Sequence, residues 1–159
     1  MNDALEPSHQ RLLGQLRTLF GAARQHISEV KRQTGITAAQ LWALTEVVEH
    51  PGLGSGDLAQ KMSIHPTTAS NLLAQLKRRK LVRVKRDDMD GRLKHLHATT
   101  SGQRLYEAAP QPRRGTLPAA IASLSPAQRQ SCEKALAALH EAVLAQGYDD
   151  SSLSPLARR

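Results

Sequence analysis

Apolar positions recur along this chain at two different periods, and the change of period marks its parts. From Ser8, the positions Leu12, Leu13, Leu16, Phe20, Ala23, Ile27 and Val30 trace one stripe at helical spacing, with Arg11, Arg17, Arg24, Lys31 and Arg32 largely off it. Gly35 stops that helix. Thr37 and Gln40 form a capping-box pair that opens a second helix through Leu41, Trp42, Leu44, Val47 and Val48, ended by His50-Pro51-Gly52. Gly52, Gly54 and Gly56 do not make a phosphate loop, because no strand precedes them and no Lys-Ser/Thr follows. They read as a connection into a helix capped by Ser55. Leu58, Ala59 and Met62 are the apolar set of that helix. A break at Ser63-Ile64-His65 leads into a further helix from Pro66 to about Lys80, with proline at a first position where no N–H is needed.

On the Pro66 helix, Ala69, Leu72, Leu73 and Leu76 make a buried stripe, and Thr67, Asn71, Gln75 and Arg78 fall opposite, with Ser70 on the flank. Short hydroxyls and an amide near the helix start, with cations at its end, are what a helix needs to touch base edges while holding phosphates. An ordinary solvated face would look similar, so the flanking residues matter. The period then drops to two: Leu81-Val82-Arg83-Val84-Lys85 alternates apolar and basic residues as a half-buried strand does. Residues 93–98 form the return strand, with Leu96 and Ala98 inward. Asp90-Gly91 sits in the turn-rich tip between them. Two helices followed by a basic hairpin make a winged helix-turn-helix.

Charge sharpens this reading. Residues 77–94 hold nine Lys/Arg against three Asp, which is +6 of the chain's formal +8. A polyanion is the indicated partner. Aromatic residues are only 3% of the 159, which argues against recognition of single strands by base stacking. No stretch is long and apolar enough to span a bilayer, no secretory signal opens the chain, and one cysteine excludes an internal disulfide framework. The expected compartment is the cytoplasm.

Beyond the wing, a helix is expected from Thr99 or Thr100 through Leu105 and Tyr106. Pro110, Pro112, Gly115 and Pro118 leave its continuation open between a bend and a break. Ser125-Pro126-Ala127-Gln128 opens a last helix, with Cys132, Leu136, Leu139 and Val143 at the spacing of a helix-packing seam and Gly147 as its stop. The long first helix and this last one point to a partner subunit.

The chain also resembles the MarR family of winged helix-turn-helix transcriptional regulators. The resemblance rests on 35–40 (Gly-Ile-Thr-Ala-Ala-Gln), Pro51-Gly52-Leu53 before Asp57-Leu58-Ala59, and the helix end at 76–83. The wing Asp88-Met89-Asp90-Gly91-Arg92 and Thr99-Thr100-Ser101-Gly102 complete it. Three positions depart from the family pattern: Lys80 for Gly, His65 for a Ser or Asp cap, and Ala98 for Leu. Lys80 makes the turn into the wing less permissive, and His65 is expected to weaken the helix start. The resemblance implies a dimeric DNA-binding repressor or activator. It further implies a small phenolic or anionic effector between the dimerisation helices and the DNA-binding lobe, where Phe20, Arg24 and Trp42 are the candidate contacts. Core packing is the default for Phe20 and Trp42.

The expectation is thus a mainly α protein: one domain over 1–159, with dimerisation helices at 8–33 and 101–147 and a DNA-binding lobe with a two-stranded β wing at 37–100. It is a homodimer that reads a palindromic double-stranded DNA operator. Thr67, Thr68, Ser70 and Asn71 face the major groove, Lys77, Arg78, Arg83 and Lys85 hold phosphates, and Arg92 probes the minor groove, oriented by Asp88 and Asp90. No catalytic residues, cofactor or metal are expected. The wing tip begins like a calcium loop, but Thr99 stands where the closing Glu would be. His95 and His97 share a strand face without a third ligand, and simple exposure is expected of them. Cys132 is expected to be a buried, inert thiol. The competing reading is a winged helix that binds nucleic acid without sequence preference.

Overall fold

The computed structural model describes residues 6–86 and 94–147. Its elements are α1 (Pro7–Thr34), α2 (Ala38–Glu49), α3 (Ser55–Lys61), α4 (Pro66–Arg78), β1 (Val82–Arg86), β2 (Lys94–Ala98), α5 (Thr100–Ala108), α6 (Thr116–Ser123) and α7 (Pro126–Leu144). The chain divides into two compact units, Met1–Leu117 and Pro118–Arg159.

The first unit has its core where the apolar stripes of α2, α3 and α4 meet the inner face of the sheet. Ile36, Leu41, Leu44, Leu58, Ala69 and Leu76 are fully buried there, joined by Met62, Leu72, Leu73, Leu81, Val82 and Leu96. β1 and β2 are antiparallel, with Arg83 opposite His97 and Lys85 opposite His95. The 50–54 connection adds a short third rung to the sheet: Gly52 N donates to Leu96 O at 2.9 Å, and Leu96 N donates to Leu53 O at 3.0 Å. Alternation in the sequence marks the two strands but not this rung, which is too short to show a period.

Helix ends follow local chemistry. Gly35 closes α1 at φ 70°, with its N–H on Lys31 O at 3.0 Å. The Thr37–Gln40 and Ser125–Gln128 capping boxes are both formed. Two expectations need correction. The residue preceding α3 is Gly54, not Ser55, and its N–H is satisfied by the Asp57 carboxylate at 3.2 Å. His65, expected to be a poor cap, does supply one: its Nδ1 accepts from Thr67 N at 3.2 Å. The prolines break the helix after the wing rather than bend it, giving α5, a turn, and α6.

On α1, Val30 is buried, but Phe20 is 59% and Ile27 51% exposed, with Leu12, Leu13 and Leu19 also exposed. Phe20 is therefore not a core residue of the single chain. On α7, Leu136 and Leu139 are exposed and Cys132 is half-buried rather than buried.

Candidate nucleic-acid interface

α4 presents two faces. Ala69, Leu72, Leu73 and Leu76 turn inward, while Thr67, Ser70, Asn71, Lys77 and Arg78 are exposed and Thr68 is half-buried. Gln75, expected to face outward, is instead half-buried: Gln40 Nε2 of α2 donates to its Oε1. The exposed uncharged polar residues thus narrow to the first turns of α4, and Gln75 ties the helix to α2.

The turn from α4 into β1 places Lys80 in the left-handed region at φ 58°, which explains the glycine usual in the family. The strain is met by neighbours. Thr99 Oγ1 donates to Lys80 O at 2.6 Å, Thr99 N donates to Leu81 O at 3.0 Å, and Thr99 Oγ1 also accepts from Gly102 N at 3.0 Å as the α5 cap. Thr99 therefore fastens both ends of the wing at one point.

Along β1, Val82 and Val84 point to the core and Arg83 and Lys85 to solvent. His97 lies on the same outer face. Its imidazole is held below its ordinary value by burial, then by the Lys85, Arg83 and His95 charges. The positive charge of this face is therefore carried by Arg83 and Lys85. His95 is half-buried with Nδ1 2.9 Å from Gly52 O, so neither wing histidine is simply exposed. Among the described residues no group of His, Cys, Asp or Glu could hold a metal. Arg92, Asp88 and Asp90 lie outside the described residues. A cleft of about 270 Å³ runs between α4 and the sheet, floored by Leu73, Val84 and Leu96, with Ser70 and Lys77 among its lining.

The candidate effector contacts are not brought together in the same way. Phe20 and Arg24 stand exposed on α1, and Trp42 is half-buried on α2 with its Nε1 donating to Glu46 Oε1 at 2.9 Å.

Residues 34–93, which run from the end of α1 to just before β2, match the sequence model of the MarR family. The HTH-type transcriptional repressor MdtR of Bacillus subtilis (strain 168) is 25% identical over 92 residues, 58% of this chain. Over those residues the chain is similar to the MarR family. It covers 59% of the length of MdtR. Among solved structures, a mutant of S. aureus MepR bound to an oligodeoxyribonucleotide is 26% identical to this chain. Its TM-score is 0.54, over 83% of this chain and 97% of that one. A MarR family protein from Bacillus stearothermophilus is 25% identical with a TM-score of 0.55, over 91% of this chain and 99% of that one. No helix among the described residues is long and apolar enough to cross a membrane.

Two functional contributions escape the sequence reading. The His65 cap is legible there only as a departure from the family. The adjacent arginines Arg113 and Arg114 take no part in that reading, although a cation pair inside a proline-broken turn is a visible signal.

Proposed function

We propose that this chain is a homodimeric, sequence-specific double-stranded DNA-binding transcriptional regulator of the cytoplasm, a binding protein rather than an enzyme. The observation that carries the proposal is the exposed start of α4, where Thr67, Ser70 and Asn71 face solvent, beside the exposed cations Lys77, Arg78, Arg83 and Lys85. Their division of labour follows from reach: the short side chains touch bases only if α4 sits in the major groove, and the long cations then meet phosphates. Arg92, oriented by Asp88 and Asp90, is the proposed minor-groove probe. MdtR, a repressor by name, and MepR, bound to DNA in its crystal, support the reading. Dimerisation is supported by the apolar residues that α1 and α7 leave uncovered in a single chain. We assign residues 8–33 and 101–147 to dimerisation and 37–100 to DNA. A small phenolic or anionic effector, met by Phe20, Arg24 and Trp42, is part of the proposal on family grounds.

The test compares two substitutions. The Asn71 amide can pair bidentately with adenine, worth about 1–3 kcal/mol of discrimination. Asn71→Ala relaxes preference at one symmetric pair of positions and leaves non-specific binding intact. Lys85→Ala weakens all sequences nearly equally and lowers the slope of log K against log salt by about one unit at most. If both substitutions weaken every sequence alike, α4 does not read bases, and a winged helix without sequence preference is the better account.

A further inference from the structure

Two adjacent arginines sit in the turn between α5 and α6, and the interface described above uses neither. Arg113 folds back on α5. Its Nε donates to Tyr106 O at 2.7 Å and its Nη2 to Glu107 O at 3.5 Å, and its guanidinium lies 4.1 Å from the centroid of the Tyr106 ring. It thereby adds to the bonding of the last-turn carbonyls, of which Tyr106 O also accepts from Ala109 N at 3.3 Å. Arg114 instead reaches α2. Its Nε donates to Glu46 Oε1 at 2.6 Å and its Nη2 to Glu46 Oε2 at 3.4 Å, and Nη2 also donates to Glu49 Oε2. The Glu46 side chain is only 4% exposed, and it also accepts from Trp42 Nε1. Tyr106 Oη donates to Glu49 Oε1 at 3.1 Å.

α2 is the helix whose Gln40 is bonded to Gln75 of α4. Gln40 and Glu46 lie about 9 Å apart along the helix axis. Between them Leu41, Ala43 and Leu44 are fully buried, so the helix cannot shift without disturbing the core. One rigid element thus holds the recognition helix at one end and the 109–115 turn at the other. The backbone cannot make that tie by itself, because Pro110, Pro112 and Gly115 interrupt the helix.

We propose that Arg114 is a positioning residue for operator geometry. By locking the 109–115 turn to α2, it ties the dimerisation segment to the helix that also holds α4. It thereby sets the half-site separation that the dimer accepts. The inference rests on the two-fold DNA reading proposed above.

The test measures affinity for a series of duplexes carrying the selected half-site as an inverted repeat at increasing separation, with a single half-site as reference. The wild-type protein gives one preferred separation. Arg114→Met combined with Glu46→Gln removes the fork without leaving a buried charge unpaired, and the new amide oxygen can still accept from Trp42. This variant is expected to flatten the preference by about tenfold, the scale of a typical coupling between sites, while single half-site affinity stays unchanged. Arg114→Lys keeps the charge but loses the fork and is expected to fall between the two. A variant profile with the wild-type peak overturns the inference and leaves the DNA reading standing. A wild-type profile without any peak overturns the two-fold reading beneath it. Should the double variant not fold, Arg114→Lys and Glu49→Gln decide in the same sense, a wild-type peak in both overturning the inference.

Discussion

Gly102 shows how one residue closes the lobe. A Cβ at this position would lie 2.1 Å from Leu81 O and 3.0 Å from Leu81 C, both backbone atoms that cannot swing away. Thr99 brings this approach about, since it caps α5 at Gly102 N while binding the carbonyls of Lys80 and Leu81. Gly102→Ala must therefore push α5 off the wing base, a backbone shift costing about 1–3 kcal/mol or more. Urea unfolding should show that loss. An unchanged midpoint would mean that α5 does not pack as described. The Thr-x-x-Gly spacing is visible in the sequence, but its cause is not, because Leu81 is brought against Gly102 only by the wing. His65 makes the same point in reverse. Residue type alone makes it a weak cap, and only the ring geometry shows an imidazole nitrogen accepting the Thr67 N–H.

At the scale of elements, periodicity carries most of the lobe. The α4 stripe, the β1 alternation and the capping boxes at Thr37 and Ser125 are all legible because each depends on residues within one helix or one strand. What escapes depends on residues far apart in sequence: Gln40 with Gln75, Leu53 with Leu96, and Arg114 with Glu46 and Glu49. The last contact makes a pH prediction. Burial raises the Glu49 carboxyl, but hydrogen bonds from Arg114 and Tyr106 outweigh it and hold the group below its ordinary value. A carboxylate depressed in the folded state stabilises fully above its unfolded value and loses that contribution as the pH falls through the folded one. Stability should therefore drop as the pH passes below the ordinary glutamate range, about 4, and Glu49→Gln should flatten that drop. Thermal unfolding across pH 3 to 6, roughly the window set by that range, checks it. Equal slopes in both proteins would remove Glu49 from the acid response.

For the whole molecule, the first question is what covers α1 and α7. Phe20 at 59%, Ile27 at 51% and Leu136 at 51% exposure are unusual for a chain that stays single in water. Sedimentation at micromolar concentration should give a species of twice 17.4 kDa, and Phe20→Glu should shift it toward the single chain. A wild-type protein sedimenting at 17.4 kDa would contradict the dimer. The sequence stripe marks these residues as apolar but does not tell a core from an interface, since both need the same spacing. Core packing is the default for Phe20 on that pattern, and in the single chain it is the wrong one.

The central claim is that two copies of α4 read DNA together. One helix start with three short exposed side chains touches only a few base pairs, too few to select a site in a genome, so the second reading must come from the partner subunit. Selection of bound duplexes from a random pool tests this most directly. The predicted result is an inverted repeat whose half-sites lie about one helical turn apart, roughly 10 bp centre to centre. Enriched sequences with no inverted repeat, or a pool that enriches for nothing, would contradict it.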